Sequence, residues 1–235
     1  MTGFTRRSTL LTLVGGALAW RQASAAVLEA RRSEHAGVRR VSIDLAADVS
    51  IRPGPGRLQV TAERKVLPTL KVVQHGDLLS LSGILEATDR SPVRVVLEVP
   101  ALQSLHLAGA LDVQGERCLS PKAELKVGGA CDVNLSGLAL HQLNLSQSGS
   151  TTVLLKGQCD QLNIHAQGAS DLLAAELPCR AVRIDAAGSG DFRIWAQKEL
   201  DAQLAGTATL YLRGQPRIRQ SLSGTASIEA WSGEP

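Results

Sequence analysis

The sequence predicts an all-β protein: a right-handed parallel β-helix-like solenoid of 18–20-residue repeats, preceded by N-terminal β-strands. Three observations predict it. Glycines recur at a nearly constant spacing through the second half of the chain. Apolar and polar residues then hold fixed offsets from those glycines. Large rings are scarce: beyond residue 25 the only aromatic side chains are Phe192, Trp195, Tyr211 and Trp231. A core with so few rings must be filled by Leu, Val, Ile and Ala, which suits a thin interior better than a thick sandwich.

Residues 1–25 read as an export signal. Arg6 and Arg7 open a basic segment, Leu10 to Ala19 form a short apolar run, and Ala23-Ser24-Ala25 supplies a small-residue cleavage site. The stretch Thr5-Arg6-Arg7-Ser8-Thr9-Leu10-Leu11 resembles a twin-arginine signal, and Arg21 before the cleavage site fits that route. A general secretory signal carrying two arginines is the alternative. The apolar run is too short for a membrane span, which needs about 20 residues. The signal takes Arg6, Arg7 and Arg21 from the 25 Lys+Arg and no acid from the 22 Asp+Glu, so the remainder is balanced in charge. That excludes the basic footprint of a nucleic-acid binder. It also leaves a periplasmic or secreted chain that is not an integral membrane protein.

Residues 26–40 are charged and aperiodic and read as a mobile lead-in. One domain, 41–235, follows. Val41 to Ile51 alternates as a strand, and Pro53-Gly54-Pro55-Gly56 is a turn. Leu58–Ala62, Leu70–Val73 and Leu78–Leu81 are further strands, with a hairpin turn at His75-Gly76-Asp77. Val93 to Val99 leads into repeats that begin at about residue 101.

Gly109, Gly129, Gly149, Gly168, Gly188, Gly206 and Gly224 head the repeats, 18 to 20 residues apart. Four residues after each stand Val113, Val133, Val153, Leu172, Phe192, Leu210 and Ile228. Four before stand Leu105, Leu125, Leu145, Ile164, Ile184 and Ala202, with only Gln220 departing. Five before, every residue is polar, from Ser104 to Arg219. Neighbouring positions therefore face opposite sides, as strands require. Ala, Ser or Thr always follows the glycine, as expected at a tight corner that glycine makes accessible.

An alternating strand with Ala47-Asp48-Val49, a Pro-Gly turn, the Leu78–Leu81 strand and Val99-Pro100-Ala101-Leu102-Gln103-Ser104-Leu105 precede the glycine-headed repeats. The fullest repeat is Gly188-Ser189-Gly190-Asp191-Phe192. This order resembles the GIN-domain family of auto-transporter adhesin head domains, over about Val41 to Trp231. The resemblance implies an exported β-helix-like domain with an adhesin-like role.

Candidate sites follow from the columns. Asp112, Asp132, Asp171 and Asp191 share a position with Thr152, Thr209 and Ser227. Free exchange with Thr and Ser suits backbone capping at the corner and not a metal. Cys159 and Cys179 fall on neighbouring coils and read as a buried thiol pair, because in-register parallel neighbours have poor disulfide geometry. Cys118 and Cys131 share no column. His106 and His165 lie three coils apart, His35, His75 and His141 are isolated, and no Ser-His-Asp set emerges. No catalytic residue, metal site or cofactor is assigned.

The seventh position after the glycine reads Trp195, Arg213, Trp231, with Arg193 and Tyr211 two residues earlier on the same face. An arginine between two tryptophans is a cation–π stack, and such clusters are enriched where partners dock. The competing role is a cover for the C-terminal end of the solenoid. These observations favour a non-catalytic envelope module that binds a glycan or protein. A structural envelope protein and a polysaccharide-acting β-helix enzyme are the alternatives; repeats this short leave an enzyme little room for long loops.

Overall fold

The computed structural model describes residues 28–83 and 93–231. Residues 1–25, expected from the sequence to be an export signal, lie outside the described residues. Ten strands form one sheet, with no α-helix among the described residues. β1 is Leu28–Glu34, β2 Arg40–Pro53, β3 Arg57–Glu63, β4 Lys71–His75 and β5 Leu78–Ser82. β6 is Val93–Val99, β7 Leu102–Glu116, β8 Leu119–Arg213, β9 Arg217–Gly224 and β10 Ser227–Ala230. A single 3-10 turn, Leu67–Thr69, joins β3 to β4.

The ladders carry the columns of the sequence. β2, β7, β8, β9 and β10 pair in parallel. Val41 sits beside Leu105 and Val49 beside Val113. Leu105 in turn sits beside Leu125, Val113 beside Val133, and Leu210 beside Ile228. Like residues thus stack on like, each coil covering the apolar side chains of the next. Each buried Val or Leu contributes about 1.5–3 kcal/mol. The buried residues form one continuous core from Val38 to Leu212.

The corner does not interrupt pairing. β2 and β7 stay in register from Arg40↔Ser104 through Leu45↔Gly109 to Ile51↔Gly115, so hydrogen bonding continues around the bend. This is why β8 runs unbroken for 95 residues. Leu45 occupies the glycine position of the first coil, which explains why Ala47 to Ile51 echoes the repeat without a glycine. At the corner the residue after the glycine is exposed, and the chain re-enters the core one residue later at Leu111, Cys131 and Thr151.

Ahead of the repeats, β1 pairs antiparallel with β3, and β3 with β6. β4 and β5 form the expected hairpin. The halves of β2 take different neighbours: Arg40 to Asp44 lies beside β5, Ala47 to Pro53 beside β6. β1 itself departs from the expectation for residues 26–40. The segment read as a mobile lead-in contains this strand, which pairs along its whole length from Leu28↔Glu63 to Glu34↔Arg57. It shows no alternation because it is a sheet-edge strand with no fully buried residue, so no core selects its side chains.

Arg40 anchors the start of β2 to the β4–β5 turn. Its Nη2 donates to Asp77 Oδ1 at 2.6 Å, while the Arg39 and Arg40 amides donate to the Asp77 carbonyl, both at 3.0 Å. The hydrogen bond from Arg40 holds the Asp77 carboxyl below its ordinary range. A depressed carboxylate stabilises above its unfolded-state pKa, and the contribution is lost as pH falls through the folded-state value. Asp77→Asn should therefore melt slightly below the wild type at neutral pH, with the gap closing in acid. Parallel thermal melts from about pH 7 to about pH 2 check this; a gap that persists in acid would assign the effect to something other than the carboxylate.

Among the described residues, β9 and β10 are the last strands of the parallel ladder. Every residue of β9 is exposed, including Ile218 and Leu222. Gln220, the one polar residue in its column, stands beside Ala202 and is exposed.

Candidate binding face

The five residues singled out from the sequence lie on β8 and at the end of β10, and the structure brings them together. Alternation along the strand turns Ile194 and Leu212 into the core. Arg193, Trp195, Tyr211 and Arg213 consequently lie on the outer side, each half-buried by its neighbours on adjacent coils. Trp231 follows β10, its amide donating to the Leu212 carbonyl at 2.7 Å, so it lies one coil beyond Arg213.

The stacking differs in one respect from an arginine between two tryptophans. The Arg213 guanidinium lies 4.0 Å from the centre of the Trp195 ring and donates to the Ala175 carbonyl at 3.3 Å. Trp231 turns instead toward the neighbouring column. Its ring is 5.9 Å from Tyr211, edge to face at 73°. The Arg193 guanidinium reaches both rings, 5.6 Å from Tyr211 and 5.3 Å from Trp231. Two rings flanking one cation attract it from both sides, whereas Arg213 already has its ring and carbonyl. The result is two adjoining groups: Trp195 with Arg213, and Arg193 with Tyr211 and Trp231. Arg193 Nε and Trp231 Nε1 are buried in this packing without a hydrogen-bond partner. Donors left unmade in this way are costly.

The other columns resolve simply. Asp171 Oδ1 accepts the Asp191 amide of the next coil at 2.8 Å, as the capping role expects. All four cysteines are free and buried. Burial pushes the Cys118 thiol up to about 11, and hydrogen bonding to Cys159 together with burial raises Cys179 further. His141 pairs with Asp160 at 2.9 Å on the surface.

One constellation escapes a reading by columns. His35, expected to be isolated, hydrogen-bonds Ser33 at 2.7 Å and Gln74 at 2.9 Å. Thirty-nine residues separate His35 from Gln74. Only the folding of β1 and the β4–β5 hairpin onto the same end of the stack joins them.

Stacked parallel strands, turned at glycine corners and bearing an aromatic-cationic ladder on one flank, define a nearly all-β domain of in-register parallel rows. The chain belongs to the GIN-domain family: the model described as "Putative auto-transporter adhesin, head GIN domain" matches residues 39–216. Among solved structures it is similar to a "putative adhesin" from Bacteroides fragilis NCTC 9343. The TM-score is 0.80 at 20% identity, over 88% of this chain and 98% of that one. A "putative lipid binding protein" from Parabacteroides distasonis ATCC 8503 aligns with a TM-score of 0.68 at 18% identity, over 87% and 97% of the two chains. A "putative adhesin" from the same strain gives 0.67 at 14% identity, over 87% and 97%. At such identities the likeness is one of fold. No curated protein matches the sequence.

Proposed function

We propose that this chain is an exported, adhesin-like binding module of the bacterial envelope, and that its outer ladder of Arg193, Trp195, Tyr211, Arg213 and Trp231 docks an envelope glycan. In the same reading the parallel ladder closes as a right-handed β-helix, and residues 1–25 direct export by the twin-arginine route. The observation that carries the reading is the convergence of three rings and two guanidiniums on one flank of a domain whose aromatic residues are otherwise limited to the buried Phe192. Rings pack against the C–H faces of a sugar, and guanidiniums donate hydrogen bonds to its hydroxyl oxygens or carboxylates. A protein loop is the other ligand that this chemistry fits.

The competing role, an end cover for the solenoid, predicts different behaviour. Truncating a ring or cation at a true docking centre costs about 2 kcal/mol or more of binding. Trp195→Ala and Arg213→Ala should then lose retention on immobilised envelope glycans while melting close to the wild type. Lowered melting with retention per folded molecule unchanged would make the ladder a cover and not a docking face.

A further inference from the structure

Apart from this binding role, we infer that the free edge of β9 is a self-docking surface, on which a second copy of the chain adds its own β9 in antiparallel register. β9 pairs with β8 on one side, and among the described residues no strand lies on the other. Its residues Ile218, Gln220 and Leu222 stand beside Leu200, Ala202 and Leu204, all of which are buried in the core. Ile218 and Leu222 thus hold inner positions yet stay exposed, at 47% and 39%. Such an edge offers a new strand both unpaired backbone groups and apolar side chains.

The sequence of the edge selects its own copy. An antiparallel pair centred on Gln220 sets Ile218 opposite Leu222 of the second copy, and Leu222 opposite Ile218. Gln220 then meets Gln220, and because a primary amide both donates and accepts, the two can bond each other. Arg219 faces Ser221 and Arg217 faces Ser223, so the pair escapes the cost of like charges set opposite each other. Sliding by one residue turns inner side chains against outer ones. Sliding by two either sets Arg219 opposite its own copy or leaves Leu222 opposite Gln220. One register alone matches every position from Arg217 to Ser223.

The other end of the sheet disfavours a head-to-tail copy. β1, the edge strand there, turns Glu29 and Arg31 to the inner side, beside the buried Ala62 and Val60. Inward charges are a common way of keeping an edge unpaired. β9 carries none, since Arg217 and Arg219 alternate with its inner residues and lie on the outer face.

The test is sedimentation velocity of the full chain over a concentration series, with cysteine cross-linking to read the register. The expected result is a species of twice the monomer mass that grows with concentration. Leu222→Asp should abolish it while melting like the wild type, because Leu222 is exposed. All four native cysteines are buried, so an introduced surface thiol is the one that glutathione disulfide oxidises. Gln220→Cys should then form a disulfide-linked dimer, since facing residues stand about 4.5–5.5 Å apart, within reach of a disulfide. Ser223→Cys should not, because its two copies would lie about 20 Å apart along the ladder. A wild type that sediments as a monomer throughout, a dimer that survives Leu222→Asp, or cross-linking at Ser223→Cys as fast as at Gln220→Cys would overturn the proposal. The cross-links are read on chains with Leu222 intact, so they decide the register even where Leu222→Asp fails to fold.

Discussion

Gly129→Ala is expected to lower the melting temperature by roughly 5–10 °C relative to Gly76→Ala. Both glycines have positive φ, +86° at Gly129 and +59° at Gly76. Both substitutions therefore meet the handedness penalty of about 1–2 kcal/mol. They differ in what surrounds the new methyl. At Gly76 nothing lies within 4 Å, whereas at Gly129 the Cβ would fall far inside van der Waals contact with the carbonyl oxygen of Gly109 on the preceding coil. Backbone cannot rotate away as a side chain can, so two coils must part. Overpacking of this sort typically costs about 1–3 kcal/mol, and a domain of this size shifts about 2–4 °C per kcal/mol. The same approach recurs up the column, from Gly149 on Gly129 to Gly224 on Gly206. Melts of the two purified variants, followed by circular dichroism, measure the difference. Equal melting would mean that the glycines tolerate a side chain and that their spacing has another origin.

Val133→Asp should be the more damaging of the two large effects, with Asn144→Asp as its partner experiment. Val133 is 3% exposed and lies directly beside Val113 on the preceding coil. A carboxylate there has neither water nor a cation to meet, and burying a charge unpaired costs several kcal/mol or forces local opening. Asn144, on the polar side of its strand, is exposed, and its Oδ1 accepts from the half-buried side chains of Gln142 and Asn163. The first substitution should abolish a cooperative melt or lower it by well over 10 °C, on the order of what a cost above 4 kcal/mol brings. The second should change it by a degree or two, about the usual size of a surface effect. Similar melting of the two variants would mean that the assignment of inner and outer faces is wrong.

The family and the order of its elements were legible because the fold is repetitive. Seven glycines at near-constant spacing mark the corners, and period-2 alternation around each assigns a face to every neighbour. Leu105 falls beside Leu125, and Val113 beside Val133, by counting alone. Ala47 to Ile51 also echoes the repeat without its glycine, and the pairing of Leu45 with Gly109 shows which residue fills that place. The ladder residues were legible for the same reason: Trp195 and Arg213 share a column, and columns stack.

Tertiary structure decided what periodicity does not encode. β1 was hidden because an edge strand needs hydrogen-bond partners more than a buried face, so its composition can look like a loop. The turn of Trp231 away from Arg213 depends on competition between two guanidiniums for three rings, and residue spacing carries no rotamer. The meeting of Ser33 and His35 with Gln74 depends on where the N-terminal strands close over the first coil. Sequence alone determined the glycine spacing and the inner and outer faces, because stacked parallel strands of like pattern repeat one local rule. Contacts between non-repeating segments had to await the fold, because no local rule places them.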